Sequence, residues 1–69
     1  MPNYNVIKSN KDNVWVVRKA GAERVSGAFT KQRQAERAAK KFAASNGGGE
    51  VRIHDRNGQI RESSTISPN

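Results

Sequence analysis

Sixty-nine residues leave room for one small domain. Thirteen Lys and Arg against six Asp and Glu give a net charge of +7, a field that attracts phosphate polymers, acidic proteins or anionic membranes and that can equally serve solubility alone. No cysteine is present, which removes disulfides and thiolate metal sites and fits a reducing cytoplasm. No apolar run approaches the roughly 18 residues of a membrane span, and the opening MPNYNVIKSN lacks a signal-peptide core, so the expectation is a soluble cytoplasmic protein.

In chain order, YNVIK (residues 4–8) is short, β-branched and roughly alternating, the pattern of a strand. SNKDN (9–13) is dense in turn formers. VWVVRK (14–19) is the strongest strand in the chain, and it pairs with the first as an antiparallel hairpin. AGAE (20–23) turns around Gly21, and RVSGAF (24–29) is a weaker strand that Gly27 interrupts, a position for a bulge.

From Thr30 to Asn46 the period changes. Ala35, Ala38, Ala39, Phe42 and Ala43 recur at i, i+3, i+4, i+7 and i+8, the stripe of an amphipathic helix. Thr30 is placed to cap its N-terminus and Asn46-Gly47 to end it. A stripe made mostly of alanine lets the helix lie close on a sheet, with Phe42 as its main anchor. After the glycine triplet, EVRIHD (50–55) and QIRES (59–63) are strands joined through Arg56-Asn57-Gly58, and Asn-Gly signals a two-residue type I′ hairpin loop. The fold class is therefore α+β, in the order β-β-β-α-β-β: an antiparallel sheet packed on one face by a single amphipathic helix. Residues 1–62 form the domain, and 63–69, without periodicity, form a flexible tail.

A two-residue loop sets Arg56 opposite Gln59, Asp55 opposite Ile60, His54 opposite Arg61 and Ile53 opposite Glu62, and directly opposed residues share a face. Val51, Ile53 and Ile60 then lie under the helix, with Asp55 and Glu62 at the periphery. Arg52, His54, Arg56, Gln59 and Arg61 lie on the open face. In the second strand Trp15 and Val17 point to the core, which has few other large residues to fill it. Val14, Val16 and Arg18 point the other way. The helix turns Arg33, Arg37, Lys40 and Lys41 to solvent. Lys31 and Arg33 sit at the positive end of its dipole, where a bound anion would relieve them.

None of the conspicuous local features has the context of an active site. The triplet Gly47-Gly48-Gly49 follows a helix and precedes a strand, whereas phosphate-binding glycine loops follow a strand and open a helix. It reads as a helix exit. His54 is the lone histidine, no metal-ligand spacing surrounds it, and Asp55 beside it in a strand points to the opposite face. The serines lack a neighbouring base or a nucleophile elbow.

Laid out this way, the chain resembles a family of short bacterial and phage-associated proteins known as a domain of unknown function. The residues that carry the resemblance are NYNVI, WVVRKAGAERVSG, the spaced alanines of TKQRQAERAAKKFA, and GGEVRIHDRNGQIRES. Members commonly have His at the position of Asn5 and an acidic residue near Arg33-Gln34. The resemblance implies one compact α+β domain, carries no statement about activity, and transfers no catalytic residue.

The function these readings favour is a small non-enzymatic binding protein whose partner is nucleic acid, DNA or RNA, held through its phosphates with low sequence specificity. Arg52, Arg56 and Arg61 would make the contacts, supported by His54, Arg18, Arg37 and Lys41. The alternative is a protein-interaction or self-associating module that uses a sheet edge or the Val14/Val16 side of the sheet. No catalytic residue, cofactor, metal, membrane or small-molecule substrate is expected.

Overall fold

The structure, a computed structural model, describes residues 3–22 and 24–68. Glu23, the last residue of the expected turn around Gly21, lies outside them, as do Met1, Pro2 and Asn69. Strands β1 (Asn3–Ser9) and β2 (Val14–Lys19) form the first hairpin. Asn13 closes its turn at φ 54, a left-handed conformation that asparagine tolerates. Strand β3 is confined to Gly27–Phe29. Gly27 pairs with Val17 in a regular ladder, so it is not a bulge. A Cβ there would lie 2.9 Å from Phe29 Cε1, and the bare backbone makes room for that ring.

Helix α1 (Gln32–Ser45) buries Ala35, Ala39 and Ala43, one residue per turn on a single face. Ala38 and Phe42 flank this line partly buried, so the alanines form the centre of the contact face and Phe42 packs against the core from its side. Lacking atoms beyond Cβ, they bring the helix backbone down onto the sheet's own large side chains. The helix begins at N-cap Lys31, one residue later than Thr30, with no side-chain cap and no acid in its first turn. Thr30 Oγ1 instead donates to Gln34 Oε1 at 3.4 Å. At the other end Asn46 is the C-cap, Gly47 and Gly48 take φ 89 and 88, and the Gly48 amide donates to the Ala43 carbonyl at 2.7 Å. That bond is the outer link of a Schellman motif, which needs a residue at ease with positive φ.

Strands β4 (Gly49–His54) and β5 (Ile60–Ile66) form the second hairpin. β5 runs four residues beyond Glu62, through what the sequence reads as tail. Ser63, Ser64, Thr65 and Ile66 pair with Arg52, Val51, Glu50 and Gly49, so the ladder with β4 makes this segment a strand where its own apolar pattern does not.

The five strands lie in the order β3-β2-β1-β4-β5. β1 and β4 are parallel, which corrects the expectation of a wholly antiparallel sheet. The cause is the helix. Its 14 residues span roughly 21 Å at 1.5 Å per residue, enough to carry the chain from the end of β3 back to the end at which β3 began. β4 must then run parallel to β3, and it enters the sheet beside β1, which has that same direction. The core is Tyr4, Val6, Trp15, Val17, Ala35, Ala39, Ala43, Val51 and Ile53, all between the helix and one face of the sheet. Among the described residues, the opposite face carries no second layer.

Candidate functional site

The bare face of the sheet is built by the alternation of the same strands that make the core. Register places Arg18 beside Asn5, Asn5 beside Arg52 and Arg52 beside Ser63. This polar row crosses β2, β1, β4 and β5. With one strand between them, the Arg18 and Arg52 backbones are roughly 10 Å apart. The neighbouring row is apolar across three strands, Ala28, Val16 and Ile7, and is continued by His54 opposite Ile60. Val14, Val16 and Ile7 are half-buried, while Ile60 is 58% exposed.

His54 and Asp55 are both occupied locally. His54 Nδ1 lies 3.2 Å from the Val6 carbonyl. A carbonyl only accepts, so this contact requires the proton on Nδ1. Asp55 Oδ1 accepts the amides of Asn57 and Gln59 at 2.8 and 3.0 Å, holding its own turn, and is not directed to His54.

That turn corrects the register expected from Asn57-Gly58. Gly58 has φ 84 while Asn57 is not among the residues with positive φ, so the loop is not type I′. The Gly58 amide donates to the Asp55 carbonyl at 3.1 Å, and the Asp55 amide to the Gln59 carbonyl at 2.8 Å. This is a three-residue loop, a type I turn followed by a glycine bulge. A second irregularity sets Ile53 opposite Glu62 but His54 opposite Ile60, leaving Arg61 as the extra residue. Ile60 is thereby turned out of the core, and Arg61 leaves the open face to pair with Glu36 of the helix, Nη2 to Oε1 at 2.9 Å. The available sequence signal was Asp55, whose side chain favours the first position of a type I turn.

Of the cations that the sequence brings together, the open face thus keeps Arg18 and Arg52, with His54 beside them. Arg52 Nε donates to Glu50 Oε1 at 2.7 Å, and Ser63 Oγ donates to the same oxygen at 3.1 Å. The Arg52 hydrogen bond, then that of Ser63 and the guanidinium charge, hold the Glu50 carboxyl below the ordinary carboxylate range. A folded-state pKa below the unfolded one adds stability that is present above the unfolded value and lost as pH falls through the folded one. Glu50→Gln should therefore remove a small contribution near neutrality. The wild-type minus variant difference in denaturation midpoint should shrink to nothing on acidification.

Arg37 and Lys41 stand exposed on α1. Arg56, in the hairpin loop, and Arg61 instead line a cleft of about 490 Å3 where the N-terminal end of α1 meets both hairpins. Lys8 and Lys31 share it. These two were absent from the expected contact set, and only the position of Lys31 at the positive end of the helix hinted at them. Among the described residues, the ion pairs are Arg52–Glu50 and Arg61–Glu36.

The profile of an uncharacterized protein family conserved in bacteria, DUF2188, matches residues 4–66. The chain belongs to DUF2188. No curated protein and no solved structure matches it. The DUF2188 match begins at the buried Tyr4 and ends at Ile66, which packs against the core. It thus spans all of the sheet-and-helix unit but Asn3, including the Schellman glycines and the Asp55–Gln59 turn. No helix among the described residues of this DUF2188 chain is long and apolar enough to cross a membrane.

Proposed function

We propose that this DUF2188 protein is a non-enzymatic nucleic-acid-binding protein that contacts phosphates with little preference for sequence. The observation that carries the reading is the polar row Arg18–Asn5–Arg52–Ser63 across an otherwise uncovered sheet face, in a chain of net charge +7. Two guanidiniums, an amide and a hydroxyl are all groups that bind phosphate and sugar oxygens. Arg37 and Lys41 on the helix add to the field. Low specificity follows from the aromatics: Tyr4 and Trp15 are buried in the core, and Phe29 and Phe42 pack against it. The bare face therefore offers no aromatic platform on which bases would stack.

The test is a titration of labelled single-stranded DNA, RNA and duplex DNA at several salt concentrations. Binding should weaken linearly in log–log terms with salt, and Arg18→Ala/Arg52→Ala should make the duplex slope shallower by roughly 2, about one unit per lost phosphate contact. Absence of binding at low salt would overturn the reading.

A second reading, self-association, is favoured by the half-buried Ile7, Val14 and Val16 beside the exposed Ile60 on the same face, and by the seven-residue edge strand β5. Face-to-face pairing would oppose Arg18 and Arg52 to their copies. Sedimentation velocity over a wide concentration range separates the cases, since a monomer throughout removes self-association.

A further inference from the structure

The cleft at the N-terminal end of α1 is distinct from the bare sheet face, because Trp15 lines it and Trp15 belongs to the helix side. Its cations come from four separate segments: Lys8 from the end of β1, Lys31 from the helix N-cap, Arg56 from the β4–β5 loop and Arg61 from the bulge in β5. Four like charges drawn into one concavity repel one another, and hydrophobic packing gives no reason for the arrangement.

Compensation inside the cleft is incomplete. Arg61 is paired with Glu36. Asp55, the carboxylate among the described residues of the lining, spends Oδ1 on the amides of its own turn. Lys8 donates to the neutral Asn13 Oδ1 at 2.9 Å and stands 5.4 Å from the centre of the Trp15 ring. Neither Lys8, Lys31 nor Arg56 takes part in an ion pair among the described residues.

We infer that this cleft is a phosphate-binding site. A phosphate group offers several strong acceptor oxygens around one centre, so it can be held from several directions at once, by the forks of Arg56 and Arg61 and by the mobile ammonium groups of Lys31 and Lys8. A carboxylate has two oxygens in one plane and can satisfy fewer of these donors. The cleft deepens the nucleic-acid reading and rests on it only for the source of the phosphate, which is either the backbone of a polynucleotide or a free or terminal phosphomonoester.

Trp15 is the chain's only tryptophan and lines the cleft, so its fluorescence and its indole NMR signal report occupancy directly. Three ligands are titrated against chloride at constant ionic strength: inorganic phosphate, a nucleoside 5′-monophosphate, and a dinucleoside whose only phosphate is the internal diester. At least one should shift the Trp15, Lys31 and Arg56 signals saturably. Response to the dinucleoside assigns the polynucleotide backbone as source, whereas response to the first two alone assigns a phosphomonoester.

Lys31→Gln/Arg56→Gln changes two exposed side chains and should lower the affinity at least tenfold while leaving the circular dichroism spectrum unchanged. The charge-matched control is Lys19→Gln/Arg24→Gln, also exposed. Lys19 pairs with Tyr4, at the end of the first hairpin opposite to Lys8 and Trp15, and this variant should bind as wild type does. No saturable response to any of the three ligands, or equal losses in the two double variants, overturns the site. Should phosphate bind here while every polynucleotide fails to bind, the cleft stands and the nucleic-acid reading falls. Polynucleotide binding that ignores Lys31 and Arg56, with no saturable response to any of the three ligands, has the reverse meaning.

Discussion

Ile53→Ala is expected to lower the unfolding free energy by about 2–5 kcal/mol, whereas Ile60→Ala should change it by no more than about 0.5 kcal/mol. Ile53 is fully buried and among the largest such side chains in the chain, on a strand flanked by β1 and β5. The helix residues in the core are Ala35, Ala39 and Ala43, too short to move into the space that a truncated isoleucine leaves. The cavity should therefore persist, which places the cost in the upper part of the range. A domain of this length has a total stability of roughly 3–10 kcal/mol, so the variant is expected to lose a large part of it. Ile60, seven positions further on, is turned outward by the two irregularities of the second hairpin. Urea denaturation of the two variants is thus also a test of register, and a loss at Ile60 comparable to that at Ile53 would refute the outward placement.

The second large effect concerns two adjacent glycines with nearly the same φ. Gly47 and Gly48 have φ 89 and 88, and an alanine at either carries the left-handed penalty of about 1–2 kcal/mol. Around Gly47 there is nothing within 4 Å of the added Cβ, so Gly47→Ala should cost that much and no more. At Gly48 the Cβ would meet the Ile66 carbonyl oxygen at 2.8 Å and Pro68 Cδ at 3.0 Å. One of these is backbone in the β5 ladder and cannot be relieved by a rotamer change. Gly48→Ala should therefore cost about 2–4 kcal/mol, conformational strain plus overpacking, with amide-exchange protection lost first from Ser63 to Ile66. Equal costs at the two glycines would show that β5 does not pass so close to the helix exit.

These two experiments probe opposite ends of what could be read in advance. Strand β2, the alanine stripe of α1 and the glycine exit were legible because each rests on interactions within about a dozen residues: alternation, 3.6-residue periodicity, and the tolerance of glycine for positive φ. Trp15 in the core was legible for a related reason, since a small chain with four aromatics must bury its largest one. The second hairpin was half legible. Asn57-Gly58 marked its position, but the turn type depended on Asp55 accepting the Asn57 and Gln59 amides. A loop one residue longer, followed by a bulge, exchanged the faces of Ile60 and Arg61. The period of a strand is two, so a shift of one residue reverses the assignments it reaches, here only as far as the bulge, beyond which Ile53 faces Glu62 as expected.

The candidate site divides along the same line. Arg18 and Arg52 share a face because alternation puts them there, and that much follows from local pattern alone, as do the charge, the kinds of elements and their order. That they stand in one row, two strands apart, was decided by the parallel pairing of β1 with β4. This contact joins residues nearly fifty positions apart and leaves no local trace. The cleft is likewise a product of tertiary structure: Lys8, Lys31, Arg56 and Arg61 are separated by a helix, three strands and the turns that join them. Local physics sets which way each side chain points along its own element. Which side chains meet depends on the order in which the strands assemble, and that is settled only when the helix has found a sheet to cover.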